Sequence, residues 1–269
     1  GEVAGSRGGG GGGDFFVQAE DGIGGRLVTG VQTCALPIFQ EIVPVMQEAG
    51  IARCVVNGTC EEDWPRVAEL AEQFPDLVQP SFGLHPWKVP SRTSGWLENL
   101  RGYLDQFEDS CLGECGLDRW IQEPDFEAQQ EVFLAQLALA TERNLPLSLH
   151  CLQAWGPLLA CLRENPRPER GFLLHSYGGS TELVVELAPL GAHFSFSGHF
   201  LHPRKDKVRQ AFRTMPADRL LLETGAPDML PPPAHLEHPL TDAEGKALNH
   251  PANLRAILAG LAETLDFRA

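Results

Sequence analysis

Residues 145–178 read LPLSLHCLQAWGPLLACLRENPRPERGFLLHSYG. A short apolar run of strand type over 145–152 is followed by an amphipathic helical stretch over 154–164 and a second short apolar run over 171–178. A strand, a helix and another strand within about thirty residues describe a parallel βαβ unit. Outward from it the alternation continues. Strand-type runs recur over 52–57, 78–85, 109–118, 192–198 and 219–227. Helical patterns fall near 39–50, 94–107, 126–143, 180–188, 203–213 and 251–265, and another runs through about 73 behind Thr59 and Glu62, which stand in capping-box spacing. The count is seven strands, each followed by a helix, with one further helix in front. Eight such units close into a barrel of about 250 residues. The expected class is therefore α/β, a TIM (β/α)8 barrel with its first strand missing or replaced. An open doubly wound sheet is the competing arrangement, but no GxGxxG or GxxxxGK[ST] follows the first strand as that fold usually requires.

Composition fits an ordinary globular protein: 269 residues, 43% hydrophobic and 21% charged. No apolar run approaches the roughly 20 residues of a membrane span, and the start lacks a secretory pattern, so no membrane association and a cytoplasmic location are expected. Seven Cys without a CxxC pair point to reduced thiols rather than a disulfide framework. A net charge of -15 argues against passive coating of nucleic acid, which depends on Lys and Arg. It leaves room for an enzyme whose metal ions bring the positive charge to a phosphate. Of 28 Gly, eleven fall in the first 25 residues. Residues 1–38 read as a low-complexity, disordered or artefactual leader, and its LVTGVQTCALPI stretch resembles translated sequencing-adapter read-through. Residues 39–269 form the barrel domain, and the missing strand would lie where this leader stands.

Chemistry in such a barrel sits at the C-terminal ends of the strands. The side chains there are His85 in GLHPW, Glu114 in GECGLD, His150 in LSLHC, His175 in LLHSYGG and the segment from Glu223 to Asp228. Burying several ionisable groups in one mouth is costly unless they are paired or bind a cation, and a divalent metal site is the economical explanation. Trp87, Trp120 and Trp155 follow strand ends and are placed to stack on a base, whereas Trp64 and Trp96 read as packing residues. His235, His238 and His250 lie in a Pro-rich loop and are expected to face solvent.

At these positions the chain resembles the TatD family of metal-dependent deoxyribonucleases, TIM barrels of the amidohydrolase superfamily. The matching elements are VVNGT, SFGLHPW, GECGLD with the Gln-rich helix after it, LPLSLHC, LLHSYGGS, HFSFSG, LLLETGAPDMLPP and a terminal LNHPANL. The resemblance implies Glu114 as a catalytic carboxylate bridging two metals, His150 and His175 as single-metal ligands, and His85 as a catalytic residue beside the substrate phosphate, with Trp87 in substrate binding. It implies two divalent ions (Mg, Mn or Zn) and 3′ to 5′ exonuclease action on DNA ends or another phosphodiester. Two departures stand out. The family's first strand ends in HxH, and no HxH occurs in this chain; the Asp of ETDxP, ligand and base, is Gly225. One ion or none is then expected here, with impaired activity, and Asp228 is a possible substitute. The alternatives are a metal-dependent hydrolase of a small ester or amide, and a non-catalytic barrel that binds a ligand.

Overall fold

Alternating short strands and amphipathic helices produce a curled, wholly parallel sheet with helices outside. The computed structural model describes residues 27–32, as backbone, and 39–266. The rest of the proposed leader, with Cys34, lies outside the described residues. Eight strands run in sequential order: β1 Leu27–Gln32, β2 Ile51–Asn57, β3 Val78–Phe82, β4 Cys111–Asp118, β5 Leu147–Leu152, β6 Phe172–Leu174, β7 Ala192–Ser197 and β8 Leu220–Glu223. The helices between them are α1 Phe39–Glu48, α2 Trp64–Gln73, α3 Trp96–Gln106, α4 Phe126–Arg143, α5 Trp155–Glu164, α6 Thr181–Leu187 and α7 Asp206–Phe212. A hairpin of β9 Pro239–Thr241 and β10 Ala247–Asn249 precedes α8 Leu254–Thr264.

The first-strand position is replaced rather than missing. Leu27–Gln32 pairs in parallel with β2, from Val28 opposite Arg53 to Gln32 opposite Asn57. It also lies against β8, although no ladder among the described residues joins those two strands.

Every residue of β3 and β4 is buried, as expected for strands covered on both faces. Two glycines set the spacing of β4 and β5. A Cβ on Gly116, at φ +142, would stand 2.0 Å from the His150 carbonyl oxygen, and one on Gly113 would meet the Ser148 carbonyl oxygen at 2.6 Å. Among the helices, α4 is held at its start by the Asp125 side chain, which accepts from Ala128 N–H, and stops at Asn144 in left-handed geometry. No described helix is long and apolar enough to cross a membrane, and the six described cysteines are free thiols.

Three local expectations are corrected. The Thr59–Glu62 capping box does not form: the Asp63 carboxylate takes Thr59 N–H, Cys60 N–H and the Thr59 hydroxyl, and α2 begins at Trp64, directly after Asp63. The 171–178 and 219–227 runs contribute only three and four strand residues, because the chain leaves the ladder at the mouth, with Ser176 at φ 45 and Gly225 at φ 68. His250 does not face solvent. It is 4% exposed, and its Nδ1 accepts the Ala252 N–H ahead of α8.

That burial, with His238 nearby, holds the His250 pKa down to about 4 from an ordinary 6.5. Above pH 6.5 the ring is neutral in both folded and unfolded chains. Below it the unfolded chain binds a proton that the folded one refuses, so stability is lost as pH falls from 6.5 toward 4. In His250→Asn the amide oxygen retains the acceptor without titrating. The wild-type melting temperature should therefore fall more steeply across that interval than the variant's, and parallel slopes would refute the assignment.

Candidate metal centre

The carboxylate of Glu114 lies at the centre of the mouth, 2% exposed. Its Oε1 is 3.1 Å from His175 Nε2, 3.2 Å from His150 Nδ1 and 3.5 Å from His85 Nε2. Ligand atoms of His85, Glu114 and His150 all fall within 4.8 Å of one another. The structure thus brings together all four of the polar residues expected at the ends of β3, β4, β5 and β6.

What backs each imidazole separates their roles. His150 Nε2 lies 2.8 Å from Asp118 Oδ2, and His175 Nδ1 lies 3.2 Å from Glu223 Oε1. A carboxylate on the far nitrogen fixes the proton there and turns the other nitrogen's lone pair inward, the usual support of a metal-ligating histidine. His85 is wired the opposite way. Its Nδ1 accepts the Trp87 N–H at 3.2 Å, so in the neutral ring Nε2 carries the hydrogen that faces Glu114. His85 is therefore a donor, suited to an anionic oxygen.

The electrostatics agree with this division. Burial holds the His85 pKa below its ordinary value despite Glu114. Burial also works against protonation of His150 and His175, but Asp118 and Glu114 raise the first, and the Glu114 and Glu223 charges raise the second well above normal. Glu114 stays ionised: its desolvation is overcome by the His175 charge and by hydrogen bonds from His150, His175 and His85. Without a cation, these imidazoles serve as counter-ions for a buried carboxylate. Two imidazoles with backed far nitrogens and one carboxylate are a chemically suitable donor set for a divalent ion.

Helix α4 positions the carboxylate and its neighbours. Gln136 clamps Leu84 through its N–H (2.7 Å) and carbonyl (3.1 Å), just before His85. Gln129 clamps Asp118 in the same manner (2.8 and 3.0 Å). The two Gln are seven residues apart, on one helix face. Asp118 is the functional residue that sequence reasoning passed over, although the signal was present: four residues beyond Glu114 on a strand is the same face.

At the end of β8 the expected carboxylate position is Gly225, at φ +68. A Cβ there would come 2.8 Å from Met229 Cβ and 3.2 Å from Met229 Sδ. Asp228 does not substitute: it is exposed and pairs with Lys246 at 3.8 Å. Glu223 instead holds His175, Ser176 and Ser195. The buried Asn249 donates to Thr224 O and Met229 O and is tied to Asn253, which shows what the terminal LNHPANL motif does: it pins this loop.

The profile of the TatD related DNase family matches residues 34–269. This chain belongs to the TatD family. An Escherichia coli relative described as the uncharacterized metal-dependent hydrolase YjjV is 32% identical over 218 residues, 80% of each chain. The 3'-5' ssDNA/RNA exonuclease TatD of Pantoea vagans is 31% identical over 193 residues, 71% of this chain and 74% of that protein. The crystal structure of the E. coli YjjV TatD homolog superposes with TM-score 0.78 at 28% identity, over 89% of this chain and 90% of that one. A TatD family hydrolase from Entamoeba histolytica, at TM-score 0.74 and 16% identity, shares the fold. Of the ligand set that the resemblance implies, Glu114 on β4, His150 on β5 and His175 just after β6 are present. The first strand, LVTGVQ, carries no His, and the β8 Asp is Gly225.

Of the aromatic residues at strand ends, Trp87 and Trp120 are exposed, whereas Trp155 is half-buried, its ring edge-on to Tyr177 at 5.1 Å. Trp64 and Trp96 are packing residues, as expected.

Proposed function

We propose that this chain is a TatD-type metal-dependent phosphodiesterase acting on ends of single-stranded nucleic acid, in which Glu114, His150 and His175 hold one divalent cation. Bound there, such a cation would polarise a phosphoryl oxygen and lower the pKa of a water. The observation that carries the reading is Glu114 Oε1 ringed by three imidazole nitrogens, two of them on rings oriented by Asp118 and Glu223. His85 donates from Nε2 toward a phosphate oxygen, and Trp87 lines the substrate's path. No carboxylate at position 225 takes a proton from the attacking water, so turnover is slow. A second ion, which the family's HxH and Asp would share with Glu114, has too few ligands here. Residues 27–32 stand in for the first strand of the catalytic barrel that 39–269 otherwise build.

Calorimetric titration with Mn2+ or Zn2+ should give about one ion per chain, with binding lost in His150→Ala and in His175→Ala. Nucleotide release from single-stranded DNA should be weak and Mn-stimulated. Absence of metal binding by folded protein would favour the non-catalytic barrel. Hydrolysis of small esters with none of DNA ends would favour the other hydrolase reading.

A further inference from the structure

Among the described residues, four large apolar side chains are exposed, and two are tryptophans: Trp87, beside His85 and His150, at 57%, and Trp120, two residues past Asp118, at 69%. Leaving indole in water forgoes much of the burial that usually stabilises it. Each follows a site residue by two positions, Trp87 after His85 at the exit of β3 and Trp120 after Asp118 at the exit of β4.

Both are tied to one carboxylate. Asp118 Oδ2 accepts Trp87 Nε1–H at 2.6 Å, alongside His150 Nε2, and Asp118 Oδ1 accepts the Trp120 backbone N–H at 2.6 Å. Trp87 thus satisfies its only polar group inward while more than half of the residue's surface stays open. Its ring stands edge-on to His85 and His150, with centroids 5.1 and 6.0 Å away. An indole held by its edge presents a fixed face at no further hydrogen-bonding cost. The adjacent cation does not serve as an alternative anchor at this lip: the Arg119 guanidinium lies over the Phe126 ring, 4.1 Å from its centroid.

We infer that Trp87, with Trp120 as the second lip, is a stacking subsite for an unpaired nucleobase of the nucleotide whose phosphate sits at His85. This rests on the phosphodiesterase reading above and deepens it. The platform takes any base, since each has a π-face, but it requires that the base be free of a duplex partner. Asp118 is then a positioning residue shared by the base subsite and the imidazole of His150, so stacking and metal-ligand orientation are mechanically coupled.

The test is binding by the full chain in EDTA, followed by fluorescence anisotropy of labelled single-stranded oligonucleotides that end either in a normal nucleotide or in an abasic one. Wild type should prefer the base-bearing end by about 10-fold, the low-to-middle range of one base–aromatic stack. Trp87→Ala should abolish that preference, Trp120→Ala should reduce it, and Trp87→Phe should retain much of it although it breaks the bond to Asp118. Equal binding of both ends by wild type, no binding of either, or discrimination surviving in Trp87→Ala would overturn the inference. Mn-stimulated hydrolysis of the same oligonucleotides is scored separately. Hydrolysis without base discrimination removes the stacking subsite alone, whereas discrimination without hydrolysis removes the phosphodiesterase reading and leaves the subsite.

Discussion

Glu114→Gln is expected to abolish divalent-metal binding and to destabilise the metal-free protein by about 3–5 kcal/mol, the cost of removing one partner from a buried ionic cluster. The amide keeps the shape of the carboxylate, so the effect isolates charge. Among the described residues, wild-type Glu114 is the only anion paired with all three imidazoles named above, whereas His175 and His150 each have one further carboxylate, Glu223 and Asp118. Loss of the shared anion leaves the His85 Nε2–H facing an amide in place of a carboxylate and weakens protonation of His175, whose largest raising influence is Glu114. Calorimetry with Mn2+ and urea unfolding in EDTA measure the two effects independently. Wild-type metal affinity in the variant would place the ion somewhere other than this cluster.

The second large effect concerns position 225. Gly225→Asp alone should bring no gain in nucleotide release, while Gly225→Asp combined with Met229→Gly should raise it about 100-fold, the lower end of what a positioned general base contributes. Steric geometry dictates the difference. Aspartate tolerates a left-handed backbone better than most residues, so φ +68 is a modest obstacle, but its Cβ would meet Met229 Cβ at 2.8 Å and the thioether sulfur at 3.2 Å. Met229 itself sits at φ +50, where glycine is at ease, and its sulfur lies 3.3 Å from Ser176 Oγ, filling the space a carboxylate would need. Truncation to alanine would leave the closest atom in place, hence glycine. Turnover of single-stranded DNA with Mn2+ decides the matter, with Met229→Gly alone as the control. A full gain from the single Gly225→Asp change would show that Met229 yields; no gain from the pair would show that the absent carboxylate is not what limits the rate.

Much of this site was legible because strands and helices differ in period. The LPLSLH run carries a histidine in the second half of β5, GFLLH places one just past β6, and GECGLD carries its carboxylate on β4. The parallel topology alone then requires those ends to converge. The 126–143 helix was readable to its termini, since Asp125 and Asn144 are conventional caps. Harder to see were groups whose role depends on a partner far along the chain. Gln136 clamps Leu84 across 52 residues, and Asn249 reaches Thr224 across 25, neither with a local pattern to announce it. The Thr59–Glu62 spacing misled because Asp63 is a better-placed competitor for the same N–H groups. The burial of His250 was hidden by its Pro-rich setting, which resembles a solvated loop although the ring accepts the Ala252 N–H and lies 5.8 Å from the His238 ring. The first strand was the hardest of all, since LVTGVQ has β-branched character but none of the chemistry that a strand in that place was expected to bring.

A parallel ladder joins backbones: all six residues of β1 pair with β2, from Leu27 opposite Ile51 to Gln32 opposite Asn57, with none of the chemistry a strand there was expected to carry. A His-x-His segment of the same length grafted at 27–32 would change the side chains of one strand and leave the sequence of β2 to β8 as it is.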